Sequence, residues 1–190
     1  MAKIVLGSSS PRRQELLKRI GITDFDVRVP QAAEEWPACL MPREIVEHVS
    51  REKSLAVSAA PDEIVITADT MVFLGGHPLG KPRDEADALH MLRDLAGRRH
   101  TVCTGVTVRQ GEKILTRSAD TDVWFRPAAE SELRAYIRSG EPMDKAGAYG
   151  VQGQGALLVE RIDGDFFNVM GLPVVLLSQM LTEFGISLLQ

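Results

Sequence analysis

Cysteine is almost missing from this chain of 190 residues: Cys39 and Cys103 are the only two, and they lie far apart. That excludes a disulfide framework and a paired-cysteine metal site, and it suits a reducing compartment. Both read as small buried hydrophobes. Long apolar runs are missing too. Nothing approaches the roughly 18 apolar residues that a membrane span requires, and the opening Met1-Ala2-Lys3-Ile4-Val5-Leu6-Gly7 is too short a run for a secretory signal. The expectation is a cytoplasmic protein with no membrane partner. Positive charge is not in excess either, the formal net charge being −4. A nucleic-acid partner would select a broad basic face, so none is expected, and any anionic ligand must be met by a few locally placed cations.

Several catalytic signatures are absent as well. No G-x-x-x-x-G-K-[ST] run exists, and Gly150, Gly153 and Gly155 lack the spacing of a dinucleotide fingerprint. His48, His77, His90 and His100 form no HExxH pair that would hold zinc, and there is no G-x-S-x-G elbow.

What is present reads as alternating strands and helices. With 44% hydrophobic residues the chain can bury a core as one domain or as two small packed lobes. Lys3 to Gly7 is a short strand leading through Ser8-Ser9-Ser10 into a helix ending near Ile20, with Ser10 as N-cap, Pro11 in the first turn and Gly21 past the end. Phe25 to Val29 reads as a second strand. A helix opens at Pro42 and runs to about Ala59 with Ile45, Val46, Val49 and Ala56 on its apolar stripe. Glu63 to Ala68 is a β-branched strand delivering Asp69 and Thr70 at its end, before Met71 to Leu74 leads to the Gly75-Gly76 turn. Lys81-Pro82 opens a third helix carrying Leu89, Leu92 and Leu95. Val102, Thr104, Val106 and Val108 alternate as a strand with one wet face, and Ile114 to Phe125 forms its antiparallel partner. Leu133, Tyr136 and Ile137 mark a fourth helix, Glu141 to Gly155 is irregular, Ala156 to Ile162 is a strand, and Pro173 to Phe184 is the last helix. The mixture predicts a layered α/β fold with an antiparallel meander.

Four places carry candidate chemistry. Arg12 and Arg13 fall in a first helical turn, where the helix dipole favours acids, so they either await an anion or are simply solvated beside an ordinary cap. Asp69 ends a buried strand; with a carboxylate from Glu34-Glu35 it would make an oxygen-rich site for Mg²⁺. Lys53 lies seven residues after Val46 on nearly the same helical face, and either snorkels to solvent or points into a site. Gln152, in the glycine-rich segment, either satisfies loop backbone or presents its donor and acceptor to a ligand.

Taken in order, Ser8-x-Ser10-Pro11-Arg12-Arg13, Glu34, Arg51-Glu52-Lys53, Ala68-Asp69-Thr70, Gly80-Lys81-Pro82 and Asp144-Lys145-Ala146-Gly147-Ala148-Tyr149-Gly150-Val151-Gln152-Gly153 together resemble the Maf family of nucleoside triphosphate pyrophosphatases across nearly the whole chain. The resemblance implies a single Maf-like domain over residues 1–190 and a fold similar to the inosine triphosphate pyrophosphatases: an elongated mixed β-sheet flanked by helices, with two lobes around a cleft. It implies a homodimer and hydrolysis of dTTP and UTP, extending to modified pyrimidine triphosphates, to the monophosphate and pyrophosphate by metal-assisted water attack at the α-phosphorus. Asp69, Lys53 and Lys81 take catalytic places. Ser8, Ser10, Arg12, Arg13, Thr70 and Gln152 take substrate-binding and specificity places, and Glu34, or its neighbour Glu35, joins Asp69 at Mg²⁺ or Mn²⁺. A rival reading is a nucleotide-binding regulator of septum formation without turnover.

Overall fold

Ile4–Leu6 forms β1, buried along its whole length as its unbroken apolar run demands of a central parallel strand. The computed structural model describes residues 3–32 and 35–189. β1 pairs in parallel with β2 (Phe25–Val27) on one side and with the start of β3 (Ile64–Leu74) on the other. β4 (His77–Leu79) folds back antiparallel on the far end of β3 through the Gly75-Gly76 turn. β5 (Arg99–Gln110) and β6 (Lys113–Phe125) follow, and β7 (Val159–Asp163) lies antiparallel to β6. The result is a mixed seven-stranded sheet in the order β2-β1-β3-β5-β6-β7, with β4 paired to β3. The helices are α1 (Pro11–Arg19), α2 (Pro42–Ala56), α3 (Glu85–Leu95), α4 (Glu130–Arg138), α5 (Phe166–Met170) and α6 (Val174–Thr182).

The chain forms two compact units, Met1–Thr70 with Thr104–Ala119 and Gly171–Gln190, and Met71–Cys103 with Asp120–Met170. β3, β5 and β6 each contribute residues to both. In the first unit Leu6, Leu16, Leu17, Val46, Ile64, Ile66 and Leu177 are buried. α2 lies almost in contact with β5, since a Cβ at Gly105 would fall 2.1 Å from the Val46 carbonyl oxygen. Ser50 Oγ stands 3.0 Å from Thr107 Oγ1, and Thr67 Oγ1 donates to the Ser50 carbonyl at 2.7 Å. The expected wet face of β5 is therefore not wet: Val102 to Val108 are all buried. Gly105 and Thr107 look like solvent-side residues in sequence, but they are small or hydroxyl-bearing because a helix backbone covers them.

In the second unit α3, α4 and the strand ends bury Leu89, Leu92, Leu95, Val102, Val123, Phe125, Leu133, Ile137 and Leu158. His100, Phe125 and Tyr149 meet edge to face there, with centroids 4.7 to 5.4 Å apart.

Several boundaries differ from expectation. α2 stops at Ala56 because Val57 turns extended, and β2 stops at Val27. α3 starts at Glu85, not at Lys81-Pro82: Asp84 caps it by accepting the Asp87 N–H at 2.8 Å, and an acid is the stronger helix start. The expected strand from Ala156 begins at Val159, after a 3₁₀ stretch over Gln154–Leu158. Asp69 does not end its strand either. It sits within the continuous 11 residues of β3, beyond the Ile64 to Ile66 stretch paired by β1 and before the Val72 to Leu74 stretch paired by β4.

Candidate active site

The loop after β1 is held against β3 by glycine. The Gly7 N–H donates to the Ile66 carbonyl at 2.8 Å, and a Cβ there would fall 2.6 Å from the Thr67 methyl group. That close approach delivers Ser8, which is buried and accepts from the Ser10 N–H at 3.2 Å. Ser10 then caps α1 as its sequence predicts, its Oγ accepting the Arg13 N–H at 3.5 Å.

Arg13 turns back over this loop. Its Nε donates to the Gly171 carbonyl at 2.8 Å, one terminal nitrogen to Ser8 Oγ at 3.3 Å and the other to Thr70 Oγ1 at 3.1 Å. Thr70 Oγ1 lies 2.9 Å from Thr104 Oγ1 and 3.3 Å from the Gly171 oxygen. The planar guanidinium addresses three acceptors on separate segments at once, so Arg13 braces this loop as well as bringing charge to it. Arg12 stands half-buried beside it in the first turn.

One residue before Thr70, Asp69 is buried, and the Lys53 ammonium from α2 donates to its Oδ1 at 2.6 Å. Lys53 does not snorkel: its side chain is only 14% exposed and that of Asp69 only 7%. Removing two charges from water is costly, and one well-formed contact roughly offsets it at best. Asp69 Oδ2 is also buried and has no hydrogen-bond partner among the described residues. A half-satisfied buried carboxylate beside a lysine is a poor device for stability and a good candidate for chemistry.

That orphaned oxygen fits a hard cation. Among the described residues no three His, Cys, Asp or Glu side chains gather as a ligand set. Mg²⁺ commonly takes only one or two carboxylates with substrate phosphates, so a sparse set is no obstacle. Glu34 lies outside the described residues. Glu35, its alternative, is exposed and lines a pocket with Gln31, His48 and Glu52.

Lys81 and Gln152 belong to the second unit. Lys81 is exposed just past β4, and the carbonyl of Gly80 before it accepts the Gly147 N–H at 3.0 Å, which ties this segment to Asp144-Lys145-Ala146-Gly147. Gly147 has φ 67° with Val72 atoms 3.0 Å from where a Cβ would be. Ala148 is fully buried at φ 59°, the one non-glycine residue with positive φ among the described residues. That conformation costs an L-residue about 1–2 kcal/mol, and such strain collects at functional loops. Gln152 is exposed on a turn.

The structure thus gathers Ser8, Ser10, Arg13, Thr70, Lys53 and Asp69 within the first unit. Sequence reasoning missed Thr104 and Gly171. A backbone carbonyl carries no signal in sequence, and Thr104 was absorbed into a strand pattern.

The family model described as Maf-like protein matches residues 3–184 of the chain. The dTTP/UTP pyrophosphatase of Symbiobacterium thermophilum is 47% identical over 97% of this chain and 95% of its own length. That of Carboxydothermus hydrogenoformans is 48% identical, over 96% of this chain and 99% of its own. A HAM1 protein from Coxiella burnetii has a solved structure similar at TM-score 0.49 and 14% identity, covering 96% of this chain and 100% of that one.

Proposed function

This chain belongs to the Maf family, and from that premise we propose that it hydrolyses dTTP and UTP to the nucleoside monophosphate and pyrophosphate, with residues 1–190 acting as one domain. The observation that carries the reading is the buried Lys53–Asp69 pair at 2.6 Å, with Asp69 Oδ2 left unsatisfied, one residue from the Arg13-braced threonine.

Water attacks the α-phosphorus, the new P–O bond forms as the bond to the α–β bridging oxygen breaks, and pyrophosphate departs. Asp69 takes the proton of that water, and its fixed position in mid-strand supplies the orientation that proton transfer needs. Ser8 and Ser10, with Arg12 and Arg13 at the start of α1, receive phosphate oxygens. Lys53 holds Asp69 and carries positive charge to the reacting phosphate, and family resemblance gives Lys81 the same duty at the leaving group. Phosphoryl transfer depends chiefly on positioning and charge stabilisation, which is what this set provides. Asp69 and Glu34 would hold Mg²⁺ or Mn²⁺, which when bound supplies charge neutralisation and Lewis-acid polarisation of the phosphate. Gln152, whose amide can both donate and accept, matches the mixed hydrogen-bonding edge of thymine or uracil. Thr70 and Arg12 complete the specificity positions. We place the enzyme in the cytoplasm as a homodimer on the same family grounds.

Asp69→Asn tests this assignment. The variant keeps the shape and a contact for Lys53 while removing the base, so turnover should fall by at least about a hundredfold, the lower end of general-base effects, with an unchanged circular dichroism spectrum. Near-normal turnover in a folded Asp69→Asn protein would remove Asp69 from the mechanism.

A further inference from the structure

Glu141 lies outside every motif that led to the site, yet it is the centre of the Gln152 segment. Its Oε2 accepts the Gln154 N–H at 2.8 Å, and its Oε1 accepts the Gly155 N–H at 3.1 Å and the Tyr136 hydroxyl at 2.9 Å. The Tyr136 oxygen in turn accepts the Gly150 N–H at 3.1 Å. Carboxylate and phenol together therefore hold backbone N–H groups on both sides of Gln152.

The glycines of the segment answer to this clamp. A Cβ at Gly153 would sit 2.2 Å from Glu141 Oε2, and one at Gly155 would sit 2.6 Å from the Tyr136 oxygen and 2.5 Å from the Gly150 carbonyl. At Gly150 a Cβ would meet Lys145 Cε at 2.6 Å, and Lys145 Nζ donates to the Glu141 carbonyl at 2.6 Å. Burial alone would raise the Glu141 carboxyl pKa, but the Gln154 and Gly155 N–H groups, then Tyr136 and Lys145, bring it below the usual value. The clamp is thus charged at neutral pH, and a charged acceptor makes the stronger hydrogen bonds.

We propose that Glu141, with Tyr136, is a positioning residue for base selection: it fixes the turn from which Gln152 presents its amide, and so acts on substrate choice through Gln152. This rests on the base-reading role given to Gln152 above. A bidentate polar contact discriminates only while its donor and acceptor are held in place, because an adaptable amide rotates to suit the wrong edge.

The test is a double-mutant cycle read as the ratio of kcat/KM for UTP over that for GTP. Glu141→Gln keeps the shape but sets an NH₂ group against N–H donors, and should lower the ratio about tenfold, the scale of one lost charged hydrogen bond. Gln152→Ala should lower it at least as far, and Glu141→Gln in the Gln152→Ala background should add nothing, as residues acting through one contact do. If Glu141→Gln fails to fold, Tyr136→Phe, which removes only the hydroxyl, enters the same cycle. An unchanged ratio in the single variant, or full additivity in the double, overturns the proposal while leaving the role of Gln152 intact. A wild-type enzyme without base preference, or Gln152→Ala without effect on it, defeats the base reading and this inference with it.

Discussion

Lys53 and Asp69 show what a single side chain reveals and conceals. Their types and spacing marked both as candidates, but the contact joining them crosses from a helix to a strand and depends on tertiary packing. His100 is the opposite case: its sequence context says nothing, and the fold buries it against Phe125 and Tyr149, with Nε2 2.8 Å from the Tyr149 oxygen. Burial pushes its pKa down to about 4, against smaller opposing contributions from the Arg98 backbone and Asp122. The unfolded chain therefore binds a proton that the native state refuses. Stability from this group is complete above the ordinary value near 6.5 and is lost as pH falls towards 4, a difference on the order of 3 kcal/mol over the whole interval. Glu63 works in another window. Held at about 2, chiefly by hydrogen bonds from Arg28, it contributes above its ordinary value of 4.5 and loses that contribution only below it. Thermal melts at about pH 7.5 and about pH 5 should thus report His100 more than Glu63. The wild-type melting temperature should drop between them and His100→Phe should respond less, whatever its absolute stability. Equal slopes would mean that His100 is not kept neutral by the fold.

Among the elements, α2 against β5 gives the sharpest expectation. At Gly105 any side chain strikes the Val46 carbonyl at 2.1 Å, and overpacking of that kind typically destabilises by about 1–3 kcal/mol. Gly105→Ala should lower the unfolding free energy obtained from urea titration by that amount and, because α2 carries Lys53, should lower turnover more than binding. A stable variant with normal turnover would show that α2 can shift without moving Lys53. Strong local signals made most elements legible: the unbroken run of β1, the Ser10 cap of α1 and the stripe of α2. The misreadings share one cause, a local signal overruled by a distant partner. Gly105 and Thr107 look solvent-facing in sequence, but a helix covers them, and Pro82 looks like a helix start, but Asp84 offers the better cap. α5 was not foreseen at all, for Phe166–Met170 is too short to show a period.

For the whole molecule, the mixed sheet follows from the order of its strands, and the position of Asp69 follows from the shortness of β1 and β4. Neither pairing reaches the stretch from Thr67 to Met71, so the strand delivers a buried carboxylate where no strand from that pair covers it. No helix among the described residues is long and apolar enough to cross a membrane. The candidate residues of the first unit stand out in sequence because their chemistry is unusual for their positions, two arginines at a helix start and an aspartate in an apolar strand. Glu141 was not, since an acid after a helix-ending glycine looks like ordinary surface.

The bond that breaks decides the reaction class. The decisive measurement is chromatographic product analysis after incubating the protein with dTTP, UTP, CTP, GTP and 7-methyl-GTP in the presence of Mg²⁺ or Mn²⁺, with pyrophosphate resolved from orthophosphate. Monophosphate and pyrophosphate in equal amounts, formed fastest from dTTP or UTP, is the expected result. Release of orthophosphate with a diphosphate, or nucleotide binding without turnover, would contradict it.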